Sequence, residues 1–183
     1  DVRTSFPDDP NPPYVPENSD RKFHGPVSLR TALGNSLNVP AVAMLYQAGI
    51  KNVLEMAHRM GINTLNREFY GLSLTLGGGE VTLLDMTYAY SVFANQGQMV
   101  GEPVAANRLK PGFRILDPVS ILRIEDSQGQ VVYEHEEPLR TEVLRPQLAY
   151  LVTEVLSDSR ARTLTFSPES PIQMGPNVAV KTG

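Results

Sequence analysis

Phe23-His24-Gly25-Pro26-Val27-Ser28-Leu29-Arg30-Thr31-Ala32-Leu33-Gly34-Asn35-Ser36-Leu37-Asn38-Val39-Pro40-Ala41-Val42 is where the chain turns from extended to helical. Ser28 carries the oxygen that caps a helix start, and Leu29, Ala32 and Leu33 recur behind it at helical spacing. Ser36-Leu37-Asn38 interrupts that helix. Pro40 suits the first turn of a second one over residues 41–47, because a first-turn nitrogen has no intrahelical acceptor to lose, and Gly49 stops it. The stretch reads as two short helices broken at a polar triplet. On local chemistry alone, Ser36 and Asn38 at such a break are capping residues.

Upstream, Pro7, Pro10, Pro12, Pro13 and Pro16 remove backbone donors and fix φ, which predicts an extended segment over residues 1–27 with Phe6, Tyr14 and Phe23 as apolar anchors. Downstream, a third helix is expected over residues 51–60, with Val53, Leu54, Ala57 and Met60 on one face and Gly61 at its end. Leu76-Gly77-Gly78-Gly79 gives a tight backbone passage. Thr82 with Asp85 three residues on predicts a capped helix whose apolar side is Leu84, Tyr88, Val92 and Phe93, closed by Asn95-Gln96-Gly97. Residues 121–125 and 131–134 flank Asp126-Ser127-Gln128-Gly129-Gln130 and read as a β-hairpin. Pro146 opens a helix to about residue 156, with Leu148, Leu151, Val152 and Val155 apolar. Gly175-Pro176-Asn177 leads into an expected terminal strand over residues 178–182. The division is thus an extended segment at 1–27 and one domain at 28–183, helical over about 28–112 and carrying the hairpin, a helix and the strand over about 113–183. Helices with an antiparallel hairpin and one further strand make an α/β (α+β) fold whose sheet is not completed by these residues.

Composition narrows the function classes. A chain of 183 residues with net charge −4 offers no electrostatic footprint for nucleic acid. Twelve of its 16 basic residues are Arg, scattered rather than blocked, so no polybasic membrane patch forms. There is no Cys, hence no disulfide or thiolate-bound metal. No apolar run is long enough for a membrane-spanning helix. His24, His58 and His135 lack metal-ligand spacing, and no metal is expected. Gly77-Gly78-Gly79 lacks the spacing of a phosphate loop, and Gly71-Leu72-Ser73-Leu74-Thr75 lacks the last Gly of a nucleophile elbow. Glu136-Glu137 reads as a solvated edge. Asp1-Val2 does not resemble a translation start, and residues 178–180 resemble a strand broken as it begins, so both ends read as cuts.

Two triplets carry chemistry: Ser36-Leu37-Asn38 and Lys181-Thr182-Gly183. Ser-x-Asn and Lys-Thr-Gly are signatures of serine enzymes that handle β-lactams and D-Ala-D-Ala peptides, in which Ser-x-x-Lys supplies the nucleophile. Together with residues 23–49, Leu76-Gly77-Gly78-Gly79-Glu80-Val81-Thr82, Ala89-Tyr90-Ser91-Val92-Phe93-Ala94-Asn95-Gln96-Gly97, Leu156-Ser157-Asp158 and Ala161-Arg162, they make nearly the whole chain resemble the transpeptidase domain of class A penicillin-binding proteins, the 1C-like branch most. The resemblance implies an incomplete β-lactamase/transpeptidase-like fold, a helical subdomain beside part of a mainly antiparallel sheet. It implies that Ser36 relays a proton and that Lys181 places a positive charge in the cleft, as the catalytic pair. Asn38, Thr182 and Gly183 would bind substrate: the amide to the peptide backbone, the hydroxyl to the carboxylate, and the glycine by letting the strand edge approach. The ligands implied are peptidoglycan stem peptides and β-lactams, with no cofactor. The implied setting is extracytoplasmic, in a parent anchored to the membrane.

The only literal Ser-x-x-Lys is Ser19-Asp20-Arg21-Lys22, and it follows Pro16-Glu17-Asn18 with no apolar periodicity. The motif needs a helix, where residues three apart share a face and the amine can reach the hydroxyl. No nucleophile is therefore expected in this chain, and by itself it should be inactive. In the resembled family the true motif lies upstream. Two other readings stand beside this one: a silent module of the same fold that binds peptide or a partner without acylation, and a β-lactam sensor or β-lactamase. Self-association through the uncompleted sheet edge is a further expectation.

Overall fold

The computed structural model describes residues 1–175 and 178–183. In chain order it forms β1 (Phe6–Asp8), β2 (Asn11–Tyr14), α1 (Leu29–Gly34), α2 (Asn38–Ala48), α3 (Ile50–Arg59), a 3-10 turn (Leu72–Leu76), α4 (Leu83–Ala94), β3 (Gln98–Pro103), β4 (Leu116–Asp117), β5 (Arg123–Glu125), β6 (Val131–Glu134), β7 (Leu139–Glu142), α5 (Pro146–Ser157) and a second 3-10 turn (Ser159–Arg162). All strand pairs are antiparallel. The mixture of helices and antiparallel strands, with no closed barrel among the described residues, matches the fold class expected from the sequence.

Asp1–Leu54, Leu65–Glu80 and Tyr150–Gly183 form one compact unit. Its apolar centre is Phe6, Val42, Leu45 and Leu72, with Tyr14 and Val53 packed against it. Val42 and Leu45 lie three apart on α2, so one face of a short helix meets the Pro-rich segment on one side and the 3-10 turn on the other. That segment, expected as extended chain, closes on itself as a two-stranded ladder pairing Phe6 with Tyr14 and Asp8 with Asn11. The Leu72 amide donates to Asp8 Oδ1 at 2.9 Å, which ties the ladder to the turn. Of the three aromatic anchors, Phe6 is buried and Phe23 is exposed.

Glu55–Thr64 and Val81–Ala149 form the other unit. Its core is Tyr88, Val92, Met99, Leu116 and Val143. Thr82 caps α4 as expected, its hydroxyl accepting from the Asp85 amide at 3.1 Å. The expected apolar side needs correcting, because Leu84 is exposed and the inward stripe is Asp85, Tyr88, Ala89 and Val92. Asp85 takes an inward place because Arg114 meets it at 2.8 Å and the Asn63 amide donates to its other oxygen at 3.0 Å. Arg114 is held again by Asp117 at 2.9 Å, so the buried charges are paired and hydrogen-bonded. The hairpin β5–β6 forms where the sequence placed it. The sheet β4-β3-β7 has no counterpart in the sequence reading, since β3 and β7 join residues some forty positions apart.

Two further expectations differ from the structure. On α5, Leu148 and Leu151 are exposed, while Ala149 and Leu156 are buried. Residues 178–182 form no strand. A strand exists only as one side of a ladder, and the described residues offer this segment no strand to pair with. The Val180 amide instead donates to the Leu156 carbonyl at 2.9 Å, at the end of α5. Pro176 and Asn177, expected to lead into that strand, lie outside the described residues.

Candidate active site

Ser36 stands where α1 stops. The Leu37 amide donates to the Ala32 carbonyl at 3.0 Å and the Ser36 amide to the Leu33 carbonyl at 3.1 Å, the paired bonds of a Schellman turn. That turn puts its last-but-one residue in left-handed backbone, and Ser36 has φ of 55°. Glycine is the usual occupant, because a side chain there costs about 1 kcal/mol. Leu37 follows and is buried, which fixes the direction in which the chain leaves the turn.

Asn35, only 1% exposed, holds the turn from behind. Its Nδ2 donates to the Thr31 carbonyl at 2.8 Å and the Ala161 carbonyl at 2.7 Å, and its Oδ1 accepts from the Thr165 amide at 2.8 Å. Beside it, a Cβ on Gly34 would lie 2.9 Å from the Ala161 carbonyl oxygen, so only glycine lets these two backbones approach.

Lys181 reaches this turn from 145 residues away, its Nζ donating to Ser36 Oγ at 2.8 Å. The same ammonium donates to the Thr182 carbonyl. Its segment is seated through the Leu156 carbonyl, which accepts from both the Val180 amide and the buried Arg162 guanidinium. The other arm of Arg162 donates to the Ile172 carbonyl at 2.9 Å. Burial pulls the Lys181 amine below the ordinary lysine value. No carboxylate among the described residues forms an ion pair with it. A partly desolvated amine bonded to a hydroxyl can hold a proton on nitrogen or take one from oxygen, which suits a proton relay.

Asn38 opens α2, and its Nδ2 donates to the Glu17 carbonyl at 2.7 Å. Ser36, Asn38 and Lys181 line one cleft of about 500 Å³ whose other walls are mostly apolar, Leu33, Met44 and Leu76 among them. Thr182 follows Lys181 in the chain and is not among the residues that line the cleft. Gly183 is exposed, and a Cβ at its position would meet nothing within 4 Å. Sequence reasoning passed over Thr75, which lines the cleft with a buried hydroxyl, and over Asn35 and Asn18. Nothing local distinguishes these from ordinary loop and cap residues.

Neither Ser36 nor Asn38 caps a helix by its side chain. Ser19-Asp20-Arg21-Lys22 forms a turn, with the Arg21 amide on the Asn18 carbonyl at 2.9 Å and the Lys22 amide on Asp20 Oδ1 at 3.0 Å. Ser19 and Lys22 therefore do not share a helical face. Among the described residues, no group of three or more His, Cys, Asp and Glu is arranged to hold a metal, and no helix is long and apolar enough to cross a membrane.

No protein-family model matches the sequence. Individual relatives do. Penicillin-binding protein 1A of Aquifex aeolicus is 38% identical over 122 residues, covering 67% of this chain and 14% of that protein. Penicillin-binding protein 1C of Escherichia coli is 41% identical over 87 residues, covering 46% and 11%. The chain thus spans about a seventh or less of these relatives' lengths. Among solved structures, penicillin-binding protein 1A from Haemophilus influenzae superposes with a TM-score of 0.67 at 23% identity, over 86% of this chain and 25% of that one. Sequence likeness to the 1A and 1C proteins and the shared fold agree with the two triplets, and the chain belongs to the penicillin-binding protein family.

Proposed function

We propose that this chain supplies two walls of an acyl-transfer cleft, Ser36 with Asn38 and Lys181 with Thr182, in a serine-type D,D-transpeptidase that cross-links peptidoglycan stem peptides and binds β-lactams. The observation that carries the reading is the 2.8 Å bond from Lys181 Nζ to Ser36 Oγ, which joins the two signatures across 145 residues. Acyl transfer needs a nucleophile, a proton carrier and a charged seat for the substrate. Ser36 and Lys181 provide the carrier. Lys181 and Thr182 provide the seat for the terminal carboxylate, and Asn38 meets the peptide backbone.

The nucleophile comes from residues other than these. A helix bearing Ser-x-x-Lys would rest on the apolar floor of the cleft, with its hydroxyl toward Ser36. The serine would attack the D-Ala-D-Ala carbonyl, the terminal D-Ala would leave as an amine protonated through Ser36, and a second amine would then take the acyl group. A β-lactam would stop after the first step. The setting proposed is the extracytoplasmic face of the cell envelope, with the parent protein anchored in the membrane.

Labelled penicillin and intact-mass measurement test the reading. No adduct is expected on this chain, and one adduct is expected on a longer protein that includes Ser-x-x-Lys. An adduct at Ser19 would overturn the account of the nucleophile. Absence of acylation in the longer protein would favour the silent binding module.

A further inference from the structure

We propose that Asn18 is a positioning residue for the cleft: it caps α2 from outside the helix and so frees Ser36 and Asn38 from capping. The role in acylation rests on the function proposed above. The role in holding α2 does not.

A helix start presents backbone N–H groups with no acceptor inside the helix. At α2 the residue in the capping position is Leu37, whose side chain has no oxygen, and no side-chain cap bond forms there. Asn18 fills the role from twenty residues upstream. Its Oδ1 accepts from the Asn38 amide at 2.9 Å and from the Val39 amide at 3.3 Å. Its Nδ2 donates to the Lys22 carbonyl at 2.7 Å and to Asp1 Oδ2 at 2.8 Å. At 3% exposure, with both ends of the amide occupied, the side chain is held in one orientation.

The neighbouring residue completes the arrangement. The Glu17 carbonyl accepts from Asn38 Nδ2 at 2.7 Å. Residues 17 and 18 thus fix both the backbone and the side chain of Asn38. With its nitrogen engaged, Asn38 presents Oδ1 as the atom available to a ligand N–H. A side chain that caps a helix has its oxygen turned to the backbone and away from a substrate. Since Asn18 does the capping, Ser36 Oγ is left to Lys181 and Asn38 Oδ1 to the cleft.

The test has two arms. On the present chain, Asn18→Ala is expected to speed hydrogen exchange of the Asn38 and Val39 amides by about tenfold while α4 amides stay protected. On the longer protein carrying Ser-x-x-Lys, the rate of acylation by a fluorescent penicillin is expected to fall about ten- to a hundredfold in Asn18→Ala, measured well below its unfolding temperature. Asn18→Asp alone would set a second carboxylate against Asp1. The exchanged pair, Asn18→Asp with Asp1→Asn, removes that repulsion and keeps an acceptor on α2, but it sets an oxygen against the Lys22 carbonyl and an amide nitrogen against the His24 amide, so it is expected to restore the exchange protection only in part.

Unchanged exchange at Asn38 and Val39 overturns the proposal. So does a folded Asn18→Ala protein that acylates within about twofold of the unsubstituted one, since capping alone then has no bearing on the cleft. If the unsubstituted longer protein is never acylated, the proposed function fails, and the exchange arm still decides whether Asn18 holds α2.

Discussion

Helices α1 and α4 end in the same backbone turn and use it differently. At the end of α4, the Gly97 amide donates to the Val92 carbonyl at 2.7 Å and the Gln96 amide to the Phe93 carbonyl at 3.2 Å, the bonds that Leu37 and Ser36 make at the end of α1. Gln96 and Ser36 both have φ of 55°. Both turns set a side chain where glycine is favoured. At α4 that side chain is exposed, and the next residue, Gly97, runs hard against the Leu144 backbone and enters β3. At α1 the side chain meets Lys181, and the next residue is buried Leu37, which leads into α2. The turn by itself therefore specifies a stop, and what arrives opposite the left-handed residue decides whether the stop is also a site.

Replacing each left-handed residue by glycine separates the two turns most clearly. Ser36→Gly relaxes the backbone but removes the hydroxyl, and acylation of a Ser-x-x-Lys-bearing protein is expected to drop about a hundredfold or more. Gln96→Gly is expected to leave acylation unchanged. Equal losses in the two variants would show that the effect lies in the backbone and not in the Ser36 hydroxyl. Next in size is Gly97→Ala. A Cβ there would stand 2.1 Å from the Leu144 carbonyl oxygen on a residue with φ of 90°, and a loss of about 3 kcal/mol or more in urea unfolding is expected.

Asn35→Ala should cost about 2–3 kcal/mol, because it strands two carbonyls and the Thr165 amide around a buried turn. Gln96→Gly should gain about 0.5–1 kcal/mol, and a loss instead would mean the Gln96 side chain has a role its exposure does not suggest. A pH dependence is the mildest of these effects. Lys181 sits below its ordinary 10.5 in the folded chain, so in the window up to 10.5 the unfolded state binds more protons. Its burial penalty is fully present below the folded value and is relieved as pH rises through that window. The folded chain should therefore gain stability with alkaline pH relative to Lys181→Met, and lysine side-chain NMR should show Lys181 titrating below the ordinary lysine value. A flat difference between the two proteins would place Lys181 in solvent.

Local signals in the sequence held where their physics spans a few residues. Ser28 and Thr82 cap the helices they were expected to cap, the hairpin around Asp126 forms, and α5 begins at Pro146. The apolar stripes were less legible. Leu84, Leu148 and Leu151 have the right chemistry for a core, yet they lie outside it, because Asp85 and Ala149 occupy the inward positions. A stripe read from hydrophobicity misses an inward acid that finds its partner only through the fold, as Asp85 does in Arg114. The strand expected at residues 178–182 failed for a related reason, since composition can favour extended backbone without supplying a partner.

Residue order alone was enough to place most helix starts and stops, to make the chain a mixed helix-and-antiparallel protein, and to mark Ser36, Asn38 and Lys181 as bearers of the penicillin-binding signatures. It took the packed chain to set Ser36 in a left-handed turn against Lys181, to cap α2 with Asn18, and to pair β3 with β7. The division follows from range. Caps and turns are bonds among neighbours three or four residues apart, so their donors and acceptors stand together in the sequence. The site is made of hydrogen bonds spanning 20 to 145 residues, and only folding brings those atoms within reach.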